Sequence, residues 1–391
     1  MADPTATSAP PPQAPAAGLE GVVVAESEIS YVDGQAGKLV YRGYVIEDLA
    51  EHSTFEETTA LLLDGDLPSR FELDELTEKL VAERALDDRI LDILRRVPID
   101  AEPMAVLRTI VSAMGTVDPD ALDNSPEATR RKAIRLIAKF PTIMAAFDRL
   151  RNGNEPVAPR EDLGHAANFL YMLSGKDPDP DDAHVMDVCL ILHAEHGMNA
   201  STFSARVTAA TLSDIHSAIT SAIGTLKGPL HGGANQEVMK MLLEIEEREV
   251  KPADCVRGML ERKEKVMGFG HRVYKTMDPR APILRRFSRD LGERAGQPQW
   301  FEYSEEILET MASEKGIDPN VDFFSASTYY ALGIPIDLFT PIFAIARITG
   351  WCTHVEAQYA HNRLIRPRAS AKRNAPPAPI AAASVSVQMP V

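Results

Sequence analysis

The sequence predicts an all-α protein with a small β-ribbon near its N-terminus. Apolar residues recur at helical spacing along most of the chain, for example at Leu73, Leu76 and Leu80. Strand patterns are confined to Gly21–Val24 and Lys38–Tyr41, which Asp33-Gly34 and Gly37 would join as a ribbon. No Pro/Ser-rich linker divides the middle of the 391 residues, so a second domain would have to be an insertion.

Further helices are predicted, and for two of them the sequence also indicates where they begin or end. Ala133, Leu136, Ile137 and Phe140 form one apolar stripe. The apolar residues between Ile215 and Leu226 form another, which Gly228-Pro229 terminates, and a new helix begins near Asn235. Thr340-Pro341 has the pattern of a capped helix start, and the helix that follows is apolar nearly all round, which predicts that it is buried.

The composition restricts the class of protein. A hydrophobic fraction of 45% and a charged fraction of 25% are typical of soluble globular proteins. The net charge of -16 argues against nucleic-acid binding, and no apolar run reaches the roughly 18 residues that span a bilayer. Three cysteines, Cys189, Cys255 and Cys352, lie far apart without metal-site spacing. We therefore predict a cytoplasmic protein with no nucleic-acid or membrane partner.

The two ends of the chain have a different composition. The first 18 residues are mostly Pro, Ala, Thr and Ser, and they lack the apolar core of a signal peptide and the arginines of a mitochondrial presequence. The segment from about Ser370 is similarly rich in Pro and Ala. Residues 1–18 and 370–391 are therefore predicted to be disordered tails.

Two histidines lie in glycine-rich breaks beside predicted helices. His231 follows Gly228-Pro229-Leu230, and His271 follows Gly268-Phe269-Gly270. Glycine clusters indicate sharp bends or a close approach of the backbone to another group. The positive end of the helix after His231 would keep its imidazole neutral and able to donate a hydrogen bond to an oxyanion. A turn histidine that caps backbone carbonyls is the alternative.

Charged residues near these histidines suggest acid–base and anion chemistry. His271 together with Arg272 and Arg280 indicates an anion site or, alternatively, a solvated basic loop. Asp322 is predicted to be a helix N-cap, which would keep its carboxylate ionised, as a general base must be. Arg347 lies in the predicted buried helix, so it needs either an internal carboxylate or the carboxylate of a bound substrate.

Two weaker patterns remain. His193 and His196 would share a helix face, but no further ligand lies nearby, so we expect a polar helix end facing a cavity and no metal. Arg363, Arg366 and Arg368 form either a solvated basic end or a local funnel for anions. Together, a carboxylate base, two histidine donors and several arginines suit proton abstraction beside a carbonyl and attack of the enolate on an acceptor that carries carboxylates.

At these positions the sequence resembles the citrate synthase family from about residue 18 to residue 369. The resembling blocks are Asp33-Gly34 through Tyr41-Arg42-Gly43-Tyr44, His193-Ala194-Glu195-His196 with Asn199-Ala200-Ser201-Thr202, Gly228 through Asn235, Gly268 through Lys275 with Asp278-Pro279-Arg280, Val321-Asp322-Phe323, and Arg366-Pro367. The resemblance implies an almost all-helical homodimer. Its large domain would comprise residues 19–222 and 330–369, and a small inserted domain would comprise residues 223–329, with a cleft that closes over the substrates.

The resemblance also implies the roles of individual residues in the condensation of acetyl-CoA with oxaloacetate, a reaction of the tricarboxylic acid cycle. Asp322 would take a methyl proton from acetyl-CoA, His231 would donate to the thioester oxygen, and His271 would donate to the ketone of oxaloacetate. The substrate carboxylates would be held by His196, Arg280, Arg347 and, from the other subunit, Arg366. The CoA-contacting loop would be Lys265, Val266, Met267, Gly268 and Phe269. Acetyl-CoA is a substrate in this scheme, and we expect no cofactor.

Other functions are compatible with parts of the pattern. A 2-methylcitrate synthase would use propionyl-CoA with the same catalytic residues, and one methyl group in a hydrophobic pocket is worth only about 1–3 kcal/mol. A non-catalytic helical scaffold predicts degraded catalytic positions, whereas His231, His271 and Asp322 are all present. A metal hydrolase would need more ligands than His193 and His196 supply.

Overall fold

A computed structural model describes residues 17–19 and 21–368. Residues 27–364 form one compact unit, and the described residues 17–19, 21–26 and 365–368 fall outside it. Ala17–Leu19 is a single 3-10 turn. Tails were predicted for residues 1–18 and 370–391, of which residues 1–16 and 370–391 lie outside the described residues.

The unit is built from sixteen α-helices among the described residues, so the all-α prediction is confirmed. The helices are α1 Ile46–His52, α2 Phe55–Asp64, α3 Arg70–Glu83, α4 Asp88–Arg96, α5 Pro103–Met114, α6 Pro126–Arg151, α7 His165–Ser174, α8 Pro180–His193, α9 Ala200–Ala209, α10 Ile215–Leu226, α11 Ala234–Glu247, α12 Pro252–Glu261, α13 Ala281–Arg294, α14 Gln299–Lys315, α15 Val321–Ala331 and α16 Phe339–Ala360, with a 3-10 turn at Ile336–Leu338.

The N-terminal ribbon is a three-stranded antiparallel sheet. Strands β1 Ser30–Asp33, β2 Lys38–Tyr41 and β3 Tyr44–Val45 pair in chain order, with Ser30 opposite Tyr41 and Asp33 opposite Lys38. The Asp33 carboxylate accepts hydrogen bonds from the backbone N–H groups of Gln35 and Ala36, at 2.9 Å each, and so fixes the turn. The strand predicted at Gly21–Val24 is wrong, because that segment is irregular and Ser30–Asp33 pairs with β2 instead.

The predicted helical stripes form the core. Ala133, Leu136, Ile137 and Phe140 of α6 are buried, and α10 ends at Leu226, immediately before the predicted stop at Gly228-Pro229. In α3, Leu76 and Leu80 are buried, while Leu73 is half-buried. Helix α16 is buried along most of its length and packs against α6, α8, α9 and α10. This helix therefore places its central residues next to the C-terminal end of α8 and the N-terminal end of α9.

Helices α11–α15 pack extensively on one another, with α15 against both α11 and α13. These five helices make up most of residues 223–329, the segment predicted to be the small inserted domain. The division of the chain into a large and a small domain stays a prediction. Within residues 17–19 and 21–368, no helix combines the length and the apolar character that crossing a membrane requires.

Two predicted helix caps are wrong. The side chain that caps α15 is that of Asn320, whose Oδ1 accepts the backbone N–H of Asp322 at 3.0 Å, so Asp322 lies inside the first turn. Helix α16 begins at Phe339 without a side-chain cap, and the Thr340 hydroxyl donates instead to the carbonyl of Gly232 at 3.2 Å.

Candidate active site

His231 lies in the loop between α10 and α11, with its ring against the start of α9. Its Nε2 accepts the backbone N–H of Ser201 at 3.2 Å and lies 2.8 Å from the Ser201 hydroxyl. Because that N–H points at Nε2, the ring proton must be on Nδ1, which is left to donate elsewhere. Burial, aided by the charge of Arg347, lowers the pKa of His231 to about 4, so the imidazole is neutral at pH 7.

The helix end that contacts His231 differs from the predicted one. The prediction was the N-terminus of the helix after His231, which is α11. The backbone N–H that reaches the ring belongs instead to the first turn of α9, a helix that begins after the N-cap Asn199. The Trp351 indole N–H donates to the Ser201 hydroxyl at 3.1 Å and helps to fix this contact. The expected neutral state of the ring thus arises mainly from burial, aided by the charge of Arg347.

His271 also accepts backbone N–H groups through one ring nitrogen, but through Nδ1 where His231 uses Nε2. Its Nδ1 accepts the backbone N–H groups of Val273 and Tyr274 at 3.0 and 3.2 Å, so the proton lies on Nε2. Burial and the nearby Arg280 lower the pKa of His271 to about 4. Each of the two histidines is therefore a neutral imidazole with one N–H that has no acceptor among residues 17–19 and 21–368.

His196 lies next to His271. Their ring centroids are 5.2 Å apart, and His196 Nε2 forms a 3.1 Å hydrogen bond with the Tyr274 hydroxyl. Helix α8 ends at His193, so His193 and His196 do not share a helix face as predicted. Within the described ranges, no group of three or more His, Cys, Asp or Glu side chains is arranged to hold a metal ion.

Asp322 is the carboxylate of the site, and its environment corrects the sequence argument. Its Oδ1 is buried and has no hydrogen-bond partner among the described residues. Burial raises the pKa of Asp322 to about 7, although the charges of Arg280 and Arg347 act in the opposite direction. The carboxylate is therefore not stabilised by a capping bond. It is a stronger base than an exposed aspartate.

The two buried arginines meet the same end of α8. Arg347 Nε donates to the carbonyl of His193 at 2.7 Å, and Arg280 Nη1 donates to the carbonyl of Leu192 at 3.4 Å. Arg280 also forms a two-pronged ion pair with Asp278, at 2.9 and 2.7 Å. Nη2 of Arg347 has no hydrogen-bond partner among the described residues. Arg280 is thus buried in an ion pair, while Arg272, the other arginine beside His271, is exposed.

The segment Lys265–Phe269 is fixed to the start of α15. The backbone N–H of Asn320 donates to the carbonyl of Gly268 at 2.9 Å, and the ring centroids of Phe269 and Phe323 are 4.6 Å apart. Gly268 has a φ of +81°, and a Cβ there would lie 2.8 Å from the Phe323 side chain. A glycine is required at this position because both the backbone conformation and the space exclude a side chain. Lys265 is exposed.

Around the ends of α8, α9 and α15 lie the predicted site residues His196, His231, Gly268, Phe269, His271, Arg280, Asp322 and Arg347. Arg363, Arg366 and Arg368 are all exposed. The sequence argument missed the side chains that hold the predicted ones in place, namely Ser201, Tyr274, Asp278, Asn320 and Trp351. The Asn199-Ala200-Ser201-Thr202 pattern, with an Asn before a helical segment, was the signal that could have found the start of α9.

Comparisons with known proteins identify related chains. A family model described as "Citrate synthase, C-terminal domain" matches residues 18–368. A citrate synthase of Haloferax volcanii is 54% identical over 90% of this chain and 94% of its own. A protein of Bacillus subtilis (strain 168), described as a citrate/2-methylcitrate synthase, is 44% identical over 90% of this chain and 95% of its own.

Solved structures agree with the sequence matches. The crystal structure of citrate synthase from Pyrobaculum aerophilum superposes with a TM-score of 0.86 at 42% identity, covering 93% of this chain and 94% of that one. A citrate synthase from Thermoplasma acidophilum, in a ternary complex with carboxymethyl coenzyme A and oxaloacetate, gives a TM-score of 0.84 at 31% identity, covering 92% of this chain and 98% of that one.

Proposed function

The chain belongs to the citrate synthase family and is a condensing enzyme of the transferase class, and we propose that it joins acetyl-CoA to oxaloacetate and hydrolyses citryl-CoA to citrate and CoA. The observation that carries this proposal is the combination of Asp322, a half-buried carboxylate whose Oδ1 has no partner among the described residues, with the neutral imidazoles of His231 and His271. Each imidazole has one N–H without an acceptor in the described part of the chain. The complex of the Thermoplasma acidophilum enzyme with oxaloacetate and a CoA analogue supports the choice of substrates.

In the first step, the Asp322 carboxylate would remove a proton from the methyl group of acetyl-CoA. A thioester methyl is a very weak acid, so most of the barrier must be lowered by stabilising the enolate. His231 Nδ1–H would donate to the thioester oxygen, where negative charge develops. The pKa of Asp322, raised to about 7 by burial, favours this step because a general base works best when its pKa is near the working pH.

In the second step, the enolate carbon would attack the ketone of oxaloacetate. His271 Nε2–H would donate to the ketone oxygen and protonate it as the carbon–carbon bond forms. The free Nη2 of Arg347 supports a role in binding a substrate carboxylate, since a buried guanidinium gains most from an anionic partner. Arg280 and His196 would complete the oxaloacetate site, and Lys265–Phe269 would contact CoA.

Asp322→Asn tests the assignment of the base. Asn is nearly the same size and should preserve the fold, while turnover should fall by about 100-fold or more because the proton acceptor is lost. Turnover would be measured as CoA release from acetyl-CoA and oxaloacetate, with the unfolding temperature as the control for folding. A variant that retains turnover within about tenfold of wild type, a difference of only ~1.4 kcal/mol, would contradict the assignment.

The alternative acyl substrate is propionyl-CoA, because relatives at 44% identity include citrate/2-methylcitrate synthase. A single methylene in an apolar pocket changes the specificity ratio by about 10–200-fold. We expect kcat/KM with oxaloacetate to be at least tenfold higher for acetyl-CoA than for propionyl-CoA. Equal values would indicate a mixed activity, and the reverse ratio would favour the 2-methylcitrate reaction.

We also propose a homodimer in which Arg366 completes the oxaloacetate site of the other subunit. An Arg366→Ala subunit and an Asp322→Asn subunit should each be nearly inactive as homodimers. In a mixed dimer one site receives both defects and the other receives neither. Unfolding, mixing and refolding the two variants should therefore restore about a quarter of wild-type CoA release. Activity no higher than the mean of the separate variants, with mixed dimers shown to form, would mean that Arg366 does not act across the interface.

A cytoplasmic location is part of the same proposal. Cys189 and Cys352 are buried free thiols, and Cys255 is a half-buried free thiol. Unpaired thiols are typical of a reducing compartment.

A further inference from the structure

Three buried polar atoms, one at the end of α8 and two in α15, lack hydrogen-bond partners among the described residues. They are His193 Nε2, Tyr329 OH and Asp322 Oδ1. The His193 and Tyr329 side chains are completely buried. Buried polar atoms in folded proteins nearly always have a partner, either in the protein or in bound water. Three such atoms in one region therefore indicate a site for a small polar ligand.

The hydrogen bond made by Nδ1 of His193 determines whether its other ring nitrogen, Nε2, is a donor or an acceptor. His193 is the last residue of α8, and its Nδ1 lies 2.7 Å from the carbonyl of Cys189. A carbonyl only accepts, so Nδ1 must carry the proton and Nε2 must be an acceptor. Burial lowers the pKa of His193 to about 3, so the ring stays neutral at physiological pH. Nε2 therefore requires a hydrogen-bond donor.

Tyr329 packs near the His193 ring and belongs to the same helix as Asp322. It follows Asp322 by seven residues in α15, which places both on one face of the helix about two turns apart. Aromatic side chains in helices lean towards the N-terminus, so the Tyr329 hydroxyl extends in the direction of Asp322. The rings of Tyr329 and His193 have centroids 6.3 Å apart. Burial and, to a smaller extent, the charges of Cys189 and Asp322 raise the pKa of Tyr329, so its hydroxyl stays protonated and can donate.

We propose that His193, Tyr329 and Asp322 together bind one water molecule, and that this water is the nucleophile that hydrolyses the citryl thioester. The inference rests on the proposed function. The hydrogen bonds balance, because the Tyr329 O–H donates to the water oxygen and the two water hydrogens donate to His193 Nε2 and Asp322 Oδ1. A buried water normally has about three such partners, and here each partner would otherwise be unsatisfied.

The chemistry also balances. Hydrolysis would start once the methyl proton held by Asp322 has replaced, by way of solvent, the Nε2 proton that His271 gave to the ketone oxygen. Asp322 is then again a carboxylate and His271 is again neutral. The water oxygen bonds to the thioester carbonyl carbon while one water proton moves to Asp322. The C–S bond then breaks with its electron pair remaining on sulfur, and Asp322 returns that proton to the CoA thiolate. The products are the carboxylic acid, which ionises in water, and CoA. His193 and Tyr329 act as positioning residues throughout.

The test uses Tyr329→Phe and adds citryl-CoA directly to the enzyme. Citryl-CoA can either be hydrolysed to citrate and CoA or be cleaved back to acetyl-CoA and oxaloacetate, and both products are measured. We expect hydrolysis to fall by about tenfold or more, because the water loses its positioning donor. The back-cleavage should stay within about twofold of wild type, since it uses no water. Tyr330→Phe is the matched control, because that neighbouring side chain packs against Trp300, with ring centroids 5.5 Å apart, and should change neither rate.

Two results would overturn the proposal. One is an equal loss of hydrolysis and back-cleavage in Tyr329→Phe, and the other is no loss of either. A wild-type enzyme that does not process citryl-CoA at all would instead contradict the proposed function. The unfolding temperature gives an independent reading. Removing a hydroxyl that has no partner should raise it, whereas removing one that holds water should leave it unchanged or lower it. A rise relative to Tyr330→Phe would therefore also count against the water site.

Discussion

The two buried arginines of the site, Arg280 and Arg347, are 2% and 1% exposed, respectively, but they have different partners. One is paired with a carboxylate, and the other is not. Arg280, at the start of α13, is held on both prongs by Asp278, which also accepts the backbone N–H of Val321 at 3.3 Å. Arg347, in the middle of α16, contacts one backbone carbonyl and the face of Phe343, 4.7 Å from the ring centroid.

The difference lies in how much positive charge each arginine retains once its protein partners are counted. Burial disfavours the charge of both, but the charge and hydrogen bonds of Asp278 outweigh it and raise the pKa of Arg280. Burial lowers the pKa of Arg347 to about 10, which still leaves it charged at pH 7. Arg280 and Asp278 therefore form a neutral structural pair that orders the start of α13. Arg347 forms no ion pair among the described residues, and the charge of Glu195 compensates it only in part. Arg347 therefore keeps a buried positive charge that an anionic substrate would neutralise.

Arg280→Met should produce the largest change in stability, because it leaves Asp278 buried without its partner. Removing one member of a buried ion pair costs about 3–5 kcal/mol in the free energy of unfolding. Chemical denaturation would measure this cost. The control is Arg285→Met, in the same helix, which removes the exposed pair with Glu305 and should cost less than about 1 kcal/mol. Equal costs would mean that the Arg280–Asp278 pair contributes no more than a surface pair.

Arg347→Met should have the opposite effect. The free energy of unfolding should stay the same or rise, since a buried charge without an ion-pair partner among the described residues is replaced by an apolar side chain of similar length. Binding of oxaloacetate should weaken by about 100-fold, a loss of ~2.7 kcal/mol, because a charged hydrogen-bond donor is removed. Isothermal calorimetry with oxaloacetate would measure the affinity. A variant as destabilised as Arg280→Met, with unchanged affinity, would make Arg347 structural.

The distinction between the two arginines could not be read from the sequence, although much of the fold could. Helix α10 and strand β2 were predicted correctly because their periodicity and their flanking turn residues are local. Gly21–Val24 has strand-forming residues but no partner, since the pairing of β2 is decided by the turn at Asp33. The cap of α15 was misassigned because Asn320 and Asp322 have equal local propensity. Contacts of Asn320 with the Gly268–Gly270 segment, distant in sequence, select it.

The site shows the same limit. The types of its candidate reactive residues are visible in the sequence, since glycine-flanked histidines and a buried arginine are unusual. Their partners are not visible, because these come from other parts of the chain. Ser201 lies thirty positions before His231, and Tyr274 lies seventy-eight positions after His196. Whether a histidine is neutral, or an arginine is paired, depends on such tertiary contacts.

A smaller effect on stability than those of the two arginine substitutions should come from the titration of Asp322, whose pKa is lowered by the charges of both arginines. Because the pKa of folded Asp322 is about 7, above its usual value of 3.8, the folded state holds a proton that the unfolded state releases between about pH 4 and 7. This contribution to stability is therefore complete below about pH 4 and is lost as the pH rises through 7. Asp322→Asn should remove that part of the slope, by up to about 2 kcal/mol after allowing for partial solvent screening. Denaturation at several pH values would measure it.

The carboxylate of Asp322 should also determine how activity falls at acidic pH. Arg280 and Arg347 should differ in their effect on this pH dependence. Because the carboxylate is the active form, kcat/KM for acetyl-CoA should rise with pH to a plateau above about 7. His231 and His271, with pKa values lowered to about 4 by burial, should not contribute to this limb. The charges of Arg280 and Arg347 both lower the pKa of Asp322, but Asp278 opposes the effect of Arg280. In Arg347→Met the limb should therefore move to higher pH. A limb that stays in place would mean that the charge of Arg347 does not reach the base.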